Sequence, residues 1–343
     1  MRAAVRPFSL PLADPLDTAR GTIEHRDGLL FRLEADDGAV GVGEATPLPG
    51  WTEHYDECES VLADAVASID SGATPADLLA DLDSTPAARH ALDLALADLR
   101  ASDEGVPLYR YLGAENPAKS VPVNATVGDA PTEETVAEAE RAANAGFDCL
   151  KVKVGARPLT ADIERIETVA DALPEVELRA DANAAWTREQ AQQFLDAVGD
   201  HLAYAEQPLP ATDIAGLASL SGPIALDETL AEVAFEDALD ANPDAVVLKP
   251  MALGGPRAAS ALAARARGEG IEPVVTTTID GAVARTAAVH VAAAIKHVPA
   301  CGLATRKLLD SDLGPDIAPV ADGRAVVPQG EGNGTADTWG HHD

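Results

Sequence analysis

Six side chains in this sequence have the types and spacing to move a carbon-bound proton. Lys151 and Lys153 stand two apart in "CLKVKVG", in a chain with only six lysines. Further on come Asp181 in "LRADAN", Glu206 in "AYAEQPL", Asp227 in "IALDET" and Lys249 in "VVLKP". In an extended strand Lys151 and Lys153 project to one face, where a neighbouring like charge lowers an ammonium's pKa toward the range of a working base. Three carboxylates in a partly dry site repel one another unless a cation joins them, and oxygen donors without Cys or His favour Mg²⁺, with Mn²⁺ as a substitute. A lysine on either side of such an ion is placed to take a proton from a carbon next to a carboxylate. The ion stabilises the developing enediolate best where water is excluded.

The spacing says which elements position these groups. From Lys153 to Lys249 the five strand-end residues are separated by 28, 25, 21 and 22 residues, each the length of one strand, loop, helix and loop. From "SVPVNATVG" onward, short apolar strands alternate with alanine-rich helices. The strand candidates are 121–127, 149–154, 176–181, 203–207, 224–227, 245–249, 272–278 and 301–305. This count predicts an α/β fold, a modified TIM-like (β/α) barrel of seven or eight units over residues 119–312, with Lys153, Asp181, Glu206, Asp227 and Lys249 at its C-terminal mouth. Singly, each has a bland explanation: lysines guard edge strands, and strand-end acids cap helices or pair with arginine. Five in register on successive strands are much harder to explain that way. Asn183 lies on Asp181's strand face if that strand persists, and Arg179 shares the same face for pairing with deeper acids. No GxGxxG follows a strand, so a dinucleotide fold has little support.

Residues 1–118 read as an α+β capping domain: alternating strands to about residue 45, a hairpin turn at "ADDGAVG", then helices near 54–70 and 86–102. Residues 313–343 are expected to return to the cap. Their tail, "PQGEGNGTADTWGHHD", is polar and Gly-rich and is expected to fray. Net charge is −32, with 57 acidic against 25 basic residues, which argues against nucleic acid and anionic lipid as partners. Acidic helices such as "DECESVLADAVASID" suggest a surface adapted to high salt. Cys58, Cys149 and Cys301 are odd in number and widely spaced, so neither disulfides nor a thiolate metal site is expected. The chain shows no export signal and no apolar run of membrane length, so a cytoplasmic protein is expected, with a small carboxylate as substrate and a homo-oligomer as an open possibility.

The KxK strand, "DAN", "EQPL", "DET" and "LKP", behind an N-terminal α+β cap, resemble the enolase superfamily over nearly the whole chain. Lysines on the second and sixth strands resemble its muconate-cycloisomerase-like subgroup; the mandelate-racemase type carries a seventh-strand His, and "PVVTTTID" has none. The resemblance implies Asp181, Glu206 and Asp227 as magnesium ligands, Lys153 as general base, Lys151 as the residue that orients and tunes it, and Lys249 facing the opposite side of the substrate. Glu228 is a further candidate acid near the metal. "GEATPLPGW" resembles the "GE-PLPGF" segment of the o-succinylbenzoate synthases of menaquinone biosynthesis, which implies a lyase acting on a succinyl-bearing cyclohexadiene carboxylate. Residues 12–23 and 47–51 are then lids. Trp51, Asn183, Thr276, Thr277, Thr278, Gly281, Gly302 and Thr305 are candidate substrate contacts, although β-propensity alone explains a TTT run. The nearest rival is an N-acylamino-acid racemase or dipeptide epimerase using the same two lysines. Dipeptide epimerases carry a DxD at the eighth strand's end, so Asp310 and Asp312 beside Lys249 would favour a peptide. A class I aldolase using a lysine Schiff base, or a non-catalytic binding scaffold, are more distant readings.

Overall fold

The computed structural model describes residues 1–18 and 21–340. It starts with a long antiparallel hairpin, β1 (Arg2–Thr18) and β2 (Gly21–Glu34), to which β3 (Val40–Ala45) adds after a turn at Ala35–Ala39. One face of this sheet lies on the helix Pro86–Asp103. The alternating glycines of "VGVG" permit that contact: a Cβ on Gly43 would stand 1.9 Å from the Ala91 carbonyl oxygen, and one on Gly41 2.1 Å from that of Ala95. The helix starts with Pro at its first turn and is buried almost all round, alanine and leucine filling the tight space. A second helix, Tyr55–Asp70, buries only Cys58, Leu62, Ala65 and Ile69, the three-and-four spacing of an amphipathic helix.

Seven parallel strands follow in chain order around one sheet: β5 (Ala125–Val127), β6 (Cys149–Lys153), β7 (Glu177–Asp181), β8 (Tyr204–Glu206), β9 (Ile224–Leu226), β10 (Ala245–Leu248) and β11 (Glu272–Val275). Cys301 bridges to Val123 and Gly302 to Thr276, closing the two edges into a ring of eight places. Along each strand, alternate residues face opposite ways. Leu150, Val152, Leu226, Val246 and Leu248 pack outward against the helices, while Tyr204, Ala225, Ala245, Val247 and Val274 fill the ring. Arg179 lies below, over the Tyr204 ring at 4.9 Å, bonded to Glu177 at 2.8 Å and to the Ala300 carbonyl at 2.6 Å. Its acid is thus a near neighbour on its own strand.

Three sequence expectations change. The 121–127 strand is two pieces: β4 (Ser120–Pro122) pairs outside the ring with β13 (Arg324–Val326), itself paired with β12 (Val320–Ala321), and β5 begins only after Val123. Pro122, lacking an N–H, marks the break. The 301–305 strand shrinks to two bridged residues, because the Leu303 N–H turns back onto the Cys301 carbonyl and the chain enters a 3₁₀ turn at Arg306–Leu308. The tail does not fray up to residue 340. Leu108 donates to the Gly332 carbonyl, and Asn333 is fully buried, donating from its backbone to Asp98 at 2.6 Å and from its amide to the Val283 carbonyl at 3.0 Å. Glycine and asparagine here serve backbone pairing rather than solvation. The final stretch 341–343 lies outside the described residues. Cys58, Cys149 and Cys301 are buried and free, and among the described residues no helix is long and apolar enough to cross a membrane.

Candidate active site

The C-terminal ends of β6 to β10 deliver the six residues singled out from the sequence to one mouth. Lys153 is the register partner of Asp181, and Asp181 of Glu206; Asp227 and Lys249 come one residue after β9 and β10. Lys153 Nζ donates to Asp181 Oδ2 and to Asn183 Oδ1, each at 2.7 Å. Lys151 Nζ lies between Asp181 Oδ2 at 2.9 Å and Glu206 Oε1 at 2.8 Å. Lys249 Nζ pairs with Asp227 Oδ1 and sits 3.5 Å from the centroid of the Trp51 ring. Lys153 on β6 and Lys249 after β10 are four places apart in an eight-place ring, so the two amines approach from opposite sides with the acids between them.

Other residues hold this arrangement, and sequence reasoning missed most of them. Arg165, fully buried, donates to the Lys153 carbonyl at 2.9 Å, the Gly128 carbonyl at 2.9 Å and Asp162 at 2.7 Å, fixing the end of β6. Gln207, with φ 39°, accepts from the backbone N–H groups of Asp227 and Thr229 and donates to the Leu209 carbonyl. The Gln of "EQPL" therefore positions the next acid. Asn183 reaches Lys153 from a left-handed turn (φ 43°) because β7 ends at Asp181, and its amide donates to Glu228 at 3.0 Å. Thr126, register partner of Lys151, is exposed at the mouth. Strand alternation was the one signal that could have found it.

Burial governs the electrostatics. Burial alone would lower the Lys151 ammonium, but Asp181, Glu206 and Asp227 outweigh it and hold it well above the usual lysine range. The crowding expected to depress a lysine is thus overridden at Lys151 by three acids. Burial opposes ionisation of Asp181 too, yet Lys151 and Lys153 hold that carboxyl low. Burial, reinforced by Asp181, pushes Glu206 up. Burial also raises Asp227, against the opposing pull of Lys249. Among the described residues no three His, Cys, Asp or Glu side chains already converge as a cage; each acid faces an ammonium instead. The donor set still fits a hard divalent cation: three buried carboxylates on neighbouring strands, of which Glu206 feels the charge of Asp181 and Asp227, and Asp227 that of Glu228, as a rise in proton affinity.

The proposed substrate contacts divide. Trp51 meets Lys249 directly, and with Arg89, Leu253 and Gly254 it also lines a cleft between cap and barrel. Thr276 follows β11 beside Lys249's strand and donates to the Gly302 carbonyl at 2.9 Å. Thr277 and Thr305 share a hydrogen bond at 2.9 Å. Thr278 is buried with its hydroxyl given to Asp280, and the Gly281 N–H is given to Glu44 at 2.7 Å, so neither holds a free donor toward the amines. Of the segment 12–23 expected to be a lid, residues 12–18 belong to β1 and 21–23 to β2, and Ala19 and Arg20 lie outside the described residues. Asp312 is buried between Arg285 at 2.7 Å and Arg306 at 3.2 Å and accepts the Ala282 N–H, while Asp310 is exposed. Neither is ion-paired with Lys249, whose partner is Asp227.

Residues 134–336 match the family described as "Enolase C-terminal domain-like", and residues 2–113 match the N-terminal domain of the mandelate racemase / muconate lactonizing enzymes. An L-Ala-D/L-Glu epimerase of Bacillus subtilis is 30% identical over 87% of this chain and 86% of its own length. An o-succinylbenzoate synthase of Enterobacter sp. is 31% identical over 91% and 92%. Another, from Thermobifida fusca, is 39% identical over 61% and 66%. Among solved structures, a dipeptide epimerase from Methylococcus capsulatus, complexed with Mg and the dipeptide L-Arg-D-Lys, superposes with a TM-score of 0.83 at 30% identity, covering 97% of this chain and 98% of that one. With both domains matched and a barrel mouth that gathers the acids and amines of its motifs, this chain belongs to the enolase superfamily.

Proposed function

We propose that the chain is a magnesium-dependent carbon–oxygen lyase that dehydrates 2-succinyl-6-hydroxy-2,4-cyclohexadiene-1-carboxylate to 2-succinylbenzoate. Asp181, Glu206 and Asp227 would hold the ion, which supplies positive charge to the substrate carboxylate as its α-carbon loses a proton. Lys153 as free amine takes that proton, leaving an enediolate. The same ammonium then returns the proton to the departing hydroxyl, water leaves, and the ring becomes aromatic. Lys249 stays cationic on the opposite side, where its charge offsets the enediolate's and Trp51 shields it from water.

The observation that carries this over its rival is Asp312. Its carboxylate is spent on Arg285, Arg306 and a helix N-terminus, so the pair expected to receive a peptide's ammonium is not offered at Lys249. The 31% and 39% identical synthases support the same reading. Epimerisation keeps one specific support: two amines facing each other across the acids suit a two-base exchange, and the Bacillus subtilis relative is an epimerase. The test is an absorbance assay of the dehydration with Mg²⁺, beside N-succinyl amino acids and dipeptides followed by deuterium exchange at the α-carbon. Turnover of the cyclohexadiene with little exchange on dipeptides is expected; the reverse order would replace the lyase with the epimerase. Chelation should abolish the rate and Mg²⁺ restore it, whereas activity surviving chelation would point to a Schiff-base enzyme.

A further inference from the structure

Trp51 belongs to the cap and Lys249 to the barrel, so their contact requires the two units to be held in fixed relation. One buried cluster does this. Glu44, at the end of β3, is fully buried and sends its carboxylate across the boundary to the N–H of Gly281 at 2.7 Å and of Ala284 at 2.9 Å, the N-terminus of the barrel helix Ala282–Ala294. The barrel is shaped to admit it: a Cβ on residue 281 would stand 3.0 and 3.1 Å from the two Glu44 oxygens and 2.7 Å from Leu313. Thr46, two residues along, donates its hydroxyl to Glu44 at 2.5 Å, and the Thr46 N–H meets the Met251 sulfur, two residues after Lys249, at 3.5 Å.

Arg26 completes the joint. Its guanidinium donates to the carbonyls of Thr46 at 2.8 Å and Pro47 at 3.0 Å on the cap side, and to Ile279 at 3.2 Å in the barrel loop after β11. His90, from the cap helix, donates through Nδ1 to the Glu44 carbonyl at 2.7 Å. The segment leading to Trp51 is therefore pinned at both Thr46 and Pro47 to the barrel loops that follow β10 and β11.

We propose that Glu44 and Arg26 are positioning residues for the reaction: they act through Trp51, setting its ring against Lys249 by joining the "EATPLPGW" segment to the barrel. Neither touches the site amines. The kinetic part of this inference rests on the dehydration reading; the geometric part does not, and the experiment separates them. In the full-length protein, Glu44→Gln keeps the side-chain shape but replaces one acceptor by a donor facing a backbone N–H, and Arg26→Lys keeps the charge but loses the three-way fork. Acrylamide quenching of Trp51 is read as the difference between each protein and its Trp51→Phe counterpart. Quenching should rise in both variants; an unchanged value overturns the proposal whatever the substrate proves to be.

In the dehydration assay kcat/KM should fall by about 10- to 100-fold, the cost of misplacing a contact by around an ångström. The fall should vanish in a Trp51→Ala background, because residues acting in one chain of contacts are not additive. Full additivity of Glu44→Gln with Trp51→Ala would show that Glu44 does not act through the ring and would end the proposal. If Glu44→Gln does not fold, Thr46→Val gives the same reading by removing one hydroxyl bond, with Glu44→Asp as a partial rescue. A wild-type protein inert on the cyclohexadiene would remove the proposed activity and leave the quenching result to decide the joint.

Discussion

At the scale of single residues, the site is defined by which charges are shared and which are left to act. Lys151 is committed to Asp181 and Glu206, whereas Lys153 is more open, with a side chain 36% exposed. That difference supports the proposal that Lys153 is the base. Lys153→Ala is expected to lose about 10²- to 10⁴-fold or more in turnover, the usual contribution of a positioned base, while the melting temperature and Mg²⁺ titration stay near wild type; retained turnover would dismiss the base. Glu44 has a second consequence. Burial, with Asp280 nearby, pushes its carboxyl from 4.5 up to about 7. Because the folded-state value is the higher one, the folded protein binds the proton more tightly. The associated stability is full below about pH 4.5 and disappears as pH rises through 7, a change of about 3 kcal/mol. Asp98, raised by burial to about 6, adds to the same trend. Urea midpoints at fixed salt should fall between pH 4.5 and 7.5, and fall less in Glu44→Gln; a midpoint that climbs with pH would contradict both assignments.

At the scale of elements, the strand ends were legible because chemistry and period coincided. One acid or amine per repeat unit marks a barrel mouth, and the apolar alternation around Lys151 and Lys153 marks the strand that carries them. What stayed hidden depends on partners distant in sequence. Arg165 looks like any helical arginine until its guanidinium is seen against the Lys153 carbonyl. Glu44 and Gly281, 237 positions apart, signal nothing to each other in the sequence. The closing strand is shorter than its apolar run suggests because Cys301–Gly302 contributes only one bridge to each neighbour before the Leu303 N–H turns back onto Cys301, a turn that the residue types do not announce. Substrate contacts were the least readable, since a threonine run looks the same whether its hydroxyls face a ligand or, as with Thr278, a neighbouring acid. The "VGVG" strand yields an element-scale prediction. Gly43→Ala drives a methyl into the Ala91 carbonyl, and the cap helix must shift, costing about 1–3 kcal/mol by denaturant unfolding. A neutral result would mean that sheet and helix are less closely packed than described.

At the scale of the whole molecule, charge dominates. The helix Tyr55–Asp70 turns Asp56, Glu57, Glu59, Asp64 and Asp70 to solvent with no basic residue among them, and the chain as a whole carries −32. Self-repulsion of this size acts over roughly 30 Å in 0.01 M salt but only about 3 Å in 1 M. The thermal midpoint is therefore expected to rise steadily from dilute buffer to molar KCl. A midpoint indifferent to salt would remove the idea of a surface suited to brine.

The seal between Asn333 and Asp98 also sets an order of events at birth. These residues are 235 apart, and synthesis at about 5–20 residues per second separates their appearance by roughly ten to fifty seconds. Throughout that interval the helix bearing Asp98 has emerged but lacks the strap that covers it. The first domain made is thus the last to be closed, and an interruption of translation after the eighth barrel place would release a molecule with its barrel-mouth lysines and acids in hand and its cap unlatched.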